Sequence, residues 1–530
     1  MRALRTLLLS TAASATLLAN VNASADTPLA ITYVPNSLTE AAIADGPWSL
    51  HQMGRYPHDT SGVVPPISTP YNPPTTAYGT PYHDYCVGGR VQRADGVNPM
   101  QPYYFPFVRS NGEYLEGFFD YRPRNEQEAT VAAISFDWGK RWIFAGEALG
   151  LNPYCPADQT DPDNNNVIVD GLSTPYASNP DNAADNGLGH AFVMTVDGDQ
   201  LLYQLNRANG HIDSDPLVVH RLKSKRADRL AFLPRWGYVS PLASRGYPTL
   251  EASAKATVGL QSPDAILGAV QTGGVTTIVY VEKQLGGAPG TPVLTPAQIC
   301  PSTPGWALTN LDTGKPRKAN NDIITIRVAT TTDGINFTDV GPASGLQDPY
   351  SIVLNAIRWL GSGSLIPLSN GRYGMFFGAG NCLDNDSDGY HFIGYAETVT
   401  VVESPLDLLN WTVIYGFDNP ILSTDTVTDP MAGVTYPANP PLINVTMADV
   451  LTPEQVSPWV PPTGYNTNFF SGRVYDPQAI STDGSTVTIV FAGYNTPQPS
   501  SNLGDYRTIG RFQVQFPAGY VARPPRIDKD

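Results

Sequence analysis

The chain is short of cysteine, of charge and above all of positive charge. Only four cysteines occur among 530 residues, Cys86, Cys155, Cys300 and Cys382. None stands in a CxxC pair, which leaves out the spacing that most often marks zinc. Charged residues make up 15% of the chain, and 32 Lys and Arg face 48 Asp and Glu for a formal charge of −16. A surface of that sign repels phosphate backbones and anionic lipid, so no nucleic acid and no membrane is expected as a partner. A small or neutral substrate remains open. Beyond the first residues no apolar run reaches the ~18 residues that a membrane span needs, and no stretch holds a convincing helical period.

What is present is Gly (48), Pro (49) and 10% aromatic residues, the composition of a turn-rich all-β protein. The chain opens MRALRTLLLSTAASATLLANVNASADTP. Arg2 and Arg5 stand ahead of an apolar run that ends at a small-residue A-S-A, which is the pattern of a secretory signal peptide cut after Ala25. The expected product is secreted or periplasmic. Removing residues 1–25 leaves 30 cations against 48 acids. In an exported protein four cysteines read as two disulfides.

Five segments repeat one plan of strand, two-residue turn, strand: 103–121, 191–207, 266–282, 364–380 and 478–494. Each centres on NG, DG or GG, dipeptides that supply the positive φ of a tight hairpin. The turn glycines Gly112, Gly198, Gly274, Gly371 and Gly484 recur at a coarse period, and five hairpins at that period predict five sheets. A second hairpin follows in several units. In 131-VAAISFDWGKRWIF-144 it fits the Asp-box pattern through Ser135, Asp137, Gly139 and Trp142, and Asp333, Gly334 and Phe337 give a shortened form. The box carboxylate is expected to accept turn N–H bonds while the aromatic packs between sheets.

Two hairpins in series make a four-stranded antiparallel blade. The expected fold is therefore all-β, a five-bladed β-propeller over residues 96–520, with a pair of β-sandwiches as the alternative. Residues 26–95 read as an N-terminal arm, with closure of the ring by part of it left open, and 521–530 as a C-terminal tail.

The hairpin turns crowd one face of such a propeller with short, Gly-rich links. The longer loops lie on the other, where function is expected. That face should carry Cys300 and Cys382, which makes a bridge between adjacent blades plausible and leaves Cys86 with Cys155; other pairings stay open. At the start of the innermost strands stand Asp264, Asp476, His190, Arg358 and Trp359, with Arg473 and Tyr475 just ahead of Asp476. The nearby loops add Asp120, Arg122, Arg124, His211 and Asp213. Carboxylates, Arg, His and aromatics at one mouth suit carbohydrate chemistry: rings stack on aromatic faces, hydroxyls take paired hydrogen bonds, and an acid with a carboxylate cleaves the acetal. Asp384, Asp386, Asp388 and Gly389 carry the first spacings of a calcium loop but lack its closing Glu. A structural Ca2+ and a solvated acidic loop are both open there, and no catalytic cofactor is implied.

The R-V-Y-D-P-Q stretch at 473–478, S-P-L-D-L-L-N-W at 404–411 and F-D-N-P-I-L at 417–422 resemble motifs of the five-bladed propeller glycoside hydrolases, the family 43 arabinanases and xylosidases and the levansucrases. The Asp boxes resemble those of sialidases. Carried over, the resemblance implies Asp476 and Asp264 as active carboxylates and Glu251 as the acid, with Asp120 in reserve and Glu397 packed or paired inside a strand. The first unit, MQPYYFPF, departs from the family in having no Asp at its opening. The functions that follow are a glycoside hydrolase on a polysaccharide, with arabinan or fructan favoured, a polysaccharide lyase, and a non-catalytic carbohydrate-binding propeller.

Overall fold

The computed structural model describes residues 29–45, 91–92, 99–100, 103–110, 112, 114–121, 129–150, 188–196, 199–206, 217–221, 259–284, 323–346, 363–379, 392–424, 427–429, 434–436, 439–445, 473–494 and 507–523. All four cysteines lie outside them, as does the segment 1–25. Among the described residues the chain is all-β, with one short 3-10 turn and no α-helix.

Val275–Gln284 shows how the sequence makes these strands. It begins V-T-T-I-V-Y-V, and Ile278, Val279, Tyr280 and Val281 are all fully buried. Consecutive rather than alternate burial means that both faces of the strand are covered by other sheets. Phe392–Thr398 is likewise buried at every position. Each such apolar side chain stabilises the fold by about 1.5–3 kcal/mol.

Among the described residues there are five larger sheets, beside the two-stranded pairs Val91–Gln92 with Pro99–Met100 and Val427–Asp429 with Val434–Tyr436. Sheet 1 joins Tyr103–Ser110, Leu115–Tyr121, Ala129–Ser135 and Arg141–Gly150. Sheet 2 joins Leu188–Val196, Asp199–Asn206 and Leu217–Arg221. Sheet 3 joins Pro263–Thr272, Val275–Gln284, Ile323–Thr331 and Phe337–Pro342. Sheet 4 starts with Gly363–Pro367, Tyr373–Ala379, Phe392–Thr398 and Trp411–Tyr415. Sheet 5 starts with Arg473–Ser481, Thr486–Tyr494 and Arg507–Gln515.

The first strand of each sheet packs against the first strand of the next, from sheet 1 through sheet 5, and that of sheet 5 returns to sheet 1. This is a propeller arrangement of small antiparallel sheets. It corrects the expectation of five four-stranded blades in one respect. Among the described residues four sheets carry four or more strands, and sheet 2 carries three.

The chain ends stitch the ring. Thr32–Tyr33 and Thr39–Glu40 pair antiparallel with Arg507–Gln515 at the outer edge of sheet 5. Ala42–Asp45 then runs parallel to Arg141–Gly150 at the outer edge of sheet 1. Sheet 4 joins the same segment through Tyr415, whose hydroxyl donates to Leu29 O at 3.1 Å and accepts from Ile31 N at 3.2 Å. At the other end Val521 bridges to Leu368, and Ala522 N donates to Pro367 O at 3.0 Å. The adjoining Tyr520 hydroxyl meets Glu397, a carboxylate 1% exposed that also accepts from Tyr395 and pairs with Arg372 at 2.9 Å. Glu397 thus pairs inside its strand, and burial with the neighbouring carboxylate holds the Tyr395 hydroxyl well above its ordinary pKa.

Aspartates organise the turns. Asp137 Oδ1 accepts from Arg141 N at 2.8 Å and from the Ser135 hydroxyl at 2.9 Å. Trp142, fully buried, packs edge-on against Phe119. Asp333 Oδ1 accepts from the N–H groups of Ile335 and Asn336, both at 2.8 Å, and Asp483 Oδ1 does the same for Ser485 and Thr486. Burial alone would raise the Asp333 carboxyl, but the Asn336 and Ile335 N–H groups outweigh it and hold the pKa at about 2. The Thr486 N–H is the largest cause at Asp483, also at about 2. Both pKa values lie below that of an unfolded aspartate, near 3.8. The stability they contribute is therefore present in full above pH ~5 and is lost as pH falls through the folded values. Urea midpoints measured from pH 6 to pH 2.5 should fall more steeply in the parent protein than in Asp333→Asn/Asp483→Asn. Parallel curves would show that the two turns do not carry this linkage.

Candidate active site

Four of the five inner strands begin irregularly. Register shifts interrupt pairing between Tyr104 and Phe107 in sheet 1, between Gly189 and Phe192 in sheet 2, between Pro263 and Ala265 in sheet 3, and between Tyr475 and Gln478 in sheet 5. A bulge inserts an extra residue, bends its strand and re-aims a side chain out of the pleat. Three non-glycine residues at these openings have positive φ: His190 at 52°, Ser262 at 35° and Asp476 at 53°. Such a backbone costs about 1–3 kcal/mol per residue and persists only where the surroundings enforce it. Strain at one mouth marks that mouth as a candidate site.

Asp476 and Pro477 form the bulge of sheet 5. Asp476 is fully buried, and a carboxyl withdrawn from water in this way is normally paired or protonated. Sheet 4 comes close behind it. A Cβ on Gly378 would lie 2.9 Å from Tyr475 Cα and 3.0 Å from Asp476 N, so only glycine lets the two strands approach this far. The Ser364 hydroxyl donates to Pro477 O at 3.0 Å and accepts from Ala479 N at 2.7 Å.

His190 and Asp264 meet across sheets 2 and 3. His190 is 7% exposed, and its Nδ1 lies 3.1 Å from the backbone oxygen of Asp264. A carbonyl oxygen only accepts, so Nδ1 carries a proton in this contact. Asp264 itself is half-buried in the bulge of sheet 3.

The other predicted site residues are placed as follows. Asp120 stands opposite Tyr104 in the register of sheet 1, at the bulged end. Arg473 is the first residue of the inner strand of sheet 5, opposite Tyr494. Tyr475 is 1% exposed and belongs to the main apolar cluster, which gives it a packing role in the strand. Glu251, Arg358, Trp359, Arg124, Arg122, His211, Asp213 and the calcium-loop residues Asp384, Asp386 and Asp388 lie outside the described residues. Two of the quoted motifs do local work. In S-P-L-D-L-L-N-W, Asp407 Oδ2 accepts from Ser404 N and its hydroxyl, and Trp411 Nε1 donates to Leu408 O. In F-D-N-P-I-L, Asn419 ties the turn to Gly416 N and Ile414 O. Sequence reasoning missed Ser364 and Gln478, whose polar side chains inside apolar inner strands were the available signal.

No protein-family model matches the chain, and no curated protein matches it in sequence. Several glycoside hydrolases are among the solved structures similar to it. An α-L-arabinofuranosidase from Lactobacillus brevis is 9% identical, over 83% of this chain and 100% of that one, with a TM-score of 0.39. The α-L-arabinofuranosidase of Podospora anserina solved with cellotriose is 8% identical, over 90% and 98%, with a TM-score of 0.37. A thermostable family-43 glycoside hydrolase is 15% identical, over 81% and 95%, with a TM-score of 0.35.

Proposed function

We propose that the protein is an exported glycoside hydrolase, built on a five-bladed propeller in which sheet 2 is the fifth blade. It cleaves a polysaccharide by carboxylate acid–base chemistry at the bulged mouth. The observation that supports this most is the set of irregular inner-strand openings, with positive φ at His190, Ser262 and Asp476 and with Asp264 in the bulge of sheet 3 against His190. Asp476 and Asp264 act as the carboxylates in this reading. Glu251 is the proposed acid, Asp120 lies at the edge of the mouth, and Arg473, Arg358, Trp359 and Arg124 are proposed to contact sugar. A furanose-containing polymer such as arabinan or fructan is the favoured substrate. A structural Ca2+ at Asp384, Asp386 and Asp388 and two disulfides complete the proposal.

The test is product release by the purified mature protein from arabinans, fructans, xylans and uronate polymers, with absorbance for unsaturated sugars read alongside. New saturated reducing ends are expected. Unsaturated ends would make it a lyase, and binding without products a carbohydrate-binding propeller. Once a substrate responds, the configuration of the first product reports the carboxyl separation: retention requires about 5–5.5 Å and inversion about 6.5–9.5 Å.

A further inference from the structure

The strained conformation of Asp476 cannot be a local choice of its own segment, because Pro477 has no N–H to offer the ladder and Asp has a better-populated alternative at negative φ. Something outside the strand must hold it. Four hydrogen bonds to two neighbouring sheets, and one close backbone approach, converge on residues 475–479. From sheet 4, Ser364 Oγ grips both sides of the bulge, through Pro477 O at 3.0 Å and Ala479 N at 2.7 Å. Gln478, 4% exposed, reaches out in two directions: its Nε2 donates to Gly363 O of sheet 4 at 3.0 Å, and its Oε1 accepts from Val108 N of sheet 1 at 3.5 Å. Gly378 gives the backbone of 475–476 its room.

We infer that Ser364, Gln478 and Gly378 are positioning residues that clamp the Asp476 bulge between sheets 4 and 1 and so fix where its carboxyl stands. The inference rests on the proposed hydrolase reading for its catalytic consequence and on geometry alone for its structural one. Both sides of the clamp are buried, so removing one partner strands an unsatisfied polar group and the bulge yields before the sheet does. A displacement of 1 Å at a catalytic group can cost ~10²-fold in rate. Ground-state sugar contacts made elsewhere in the mouth are untouched by such a shift, so KM should hardly move.

Two measurements on Ser364→Ala, Gln478→Leu and Gly378→Ala test this. The first is crystallographic and needs no substrate. In Ser364→Ala residue 476 is expected to leave the positive-φ region, and an unchanged φ near 53° in all three variants would overturn the clamp. The second is kinetic, on arabinan, with Asp476→Asn in the same series. Expected are a 10–100-fold fall in kcat for the clamp variants, KM within about twofold, a shifted limb of the pH–kcat profile, and partial recovery in Ser364→Thr. Thr277→Val is the control, since it breaks the buried Thr272–Thr277 bond at the far end of sheet 3. It should lower the thermal midpoint and leave kcat unchanged. Full kcat in the clamp variants with an inactive Asp476→Asn would sink the positioning role and leave the hydrolase reading standing. Full activity in Asp476→Asn would sink that reading, while the crystallographic result would still decide the clamp.

Discussion

Asp476→Asn should lower kcat on the responsive polysaccharide by about 10²–10⁴-fold, the range that a positioned acid or base supplies, while the thermal midpoint stays close to that of the parent. The second half of the prediction comes from the backbone. Asn tolerates the left-handed region at least as well as Asp does, and its amide has nearly the same volume, so the bulge keeps its shape and only the ionisable group is lost. The strain itself can be measured by a companion pair. At φ 53° a glycine is at ease and an alanine is not. Asp476→Gly should therefore be more stable than Asp476→Ala by about 1 kcal/mol, although glycine usually lowers the stability of a strand. Both should be inactive. If alanine were the more stable of the two, the strain would be absent, and with it the argument that the mouth is held in a costly conformation for function.

The parts of this architecture legible in the sequence were those fixed by neighbours in the chain. Gly112, Gly274, Gly371 and Gly484 announce their hairpins because a tight turn needs positive φ and few residues provide it. Asp137 and Asp333 announce their turns because a carboxylate two to four residues away is all that the N–H groups require. His190, Asp264 and Asp476 were found through their place at strand openings. What could not be read was set by residues far apart in sequence. The positive φ of Asp476 depends on Ser364 and on the contacts of Gln478 with Gly363 and Val108. Glu251 and the calcium-loop aspartates lie outside the described residues.

Deleting residues 26–45 should bring the protein close to global unfolding and remove activity sooner still. The segment supplies three strands to two sheet edges. Val34 N and Ala41 N donate to Gln513 O at 3.0 Å and to Ile509 O at 2.8 Å, and Gln513 N donates to Ser37 Oγ at 2.9 Å. Ile31 and Ala41 are 3% and 2% exposed. At about 1 kcal/mol for each hydrogen bond and about 2–3 kcal/mol for Ile31, the loss is a large part of the ~5–15 kcal/mol that holds a typical domain. The thermal midpoint should fall by 10 °C or more, with aggregation, because Arg507–Gln515 and Arg141–Gly150 are left as open edges. Activity should be lost at temperatures where most of the sheet structure survives. Sheet 5 carries Asp476 and meets sheet 1 through Gln478 and Val108, so a ring free to part at that seam loses the clamp before it loses its blades. A synthetic peptide of residues 26–45 added in trans should restore part of both properties. An unchanged midpoint on deletion would mean that the inner strands close the ring without the segment, and that the seam between sheets 5 and 1 is held at the axis rather than at the rim.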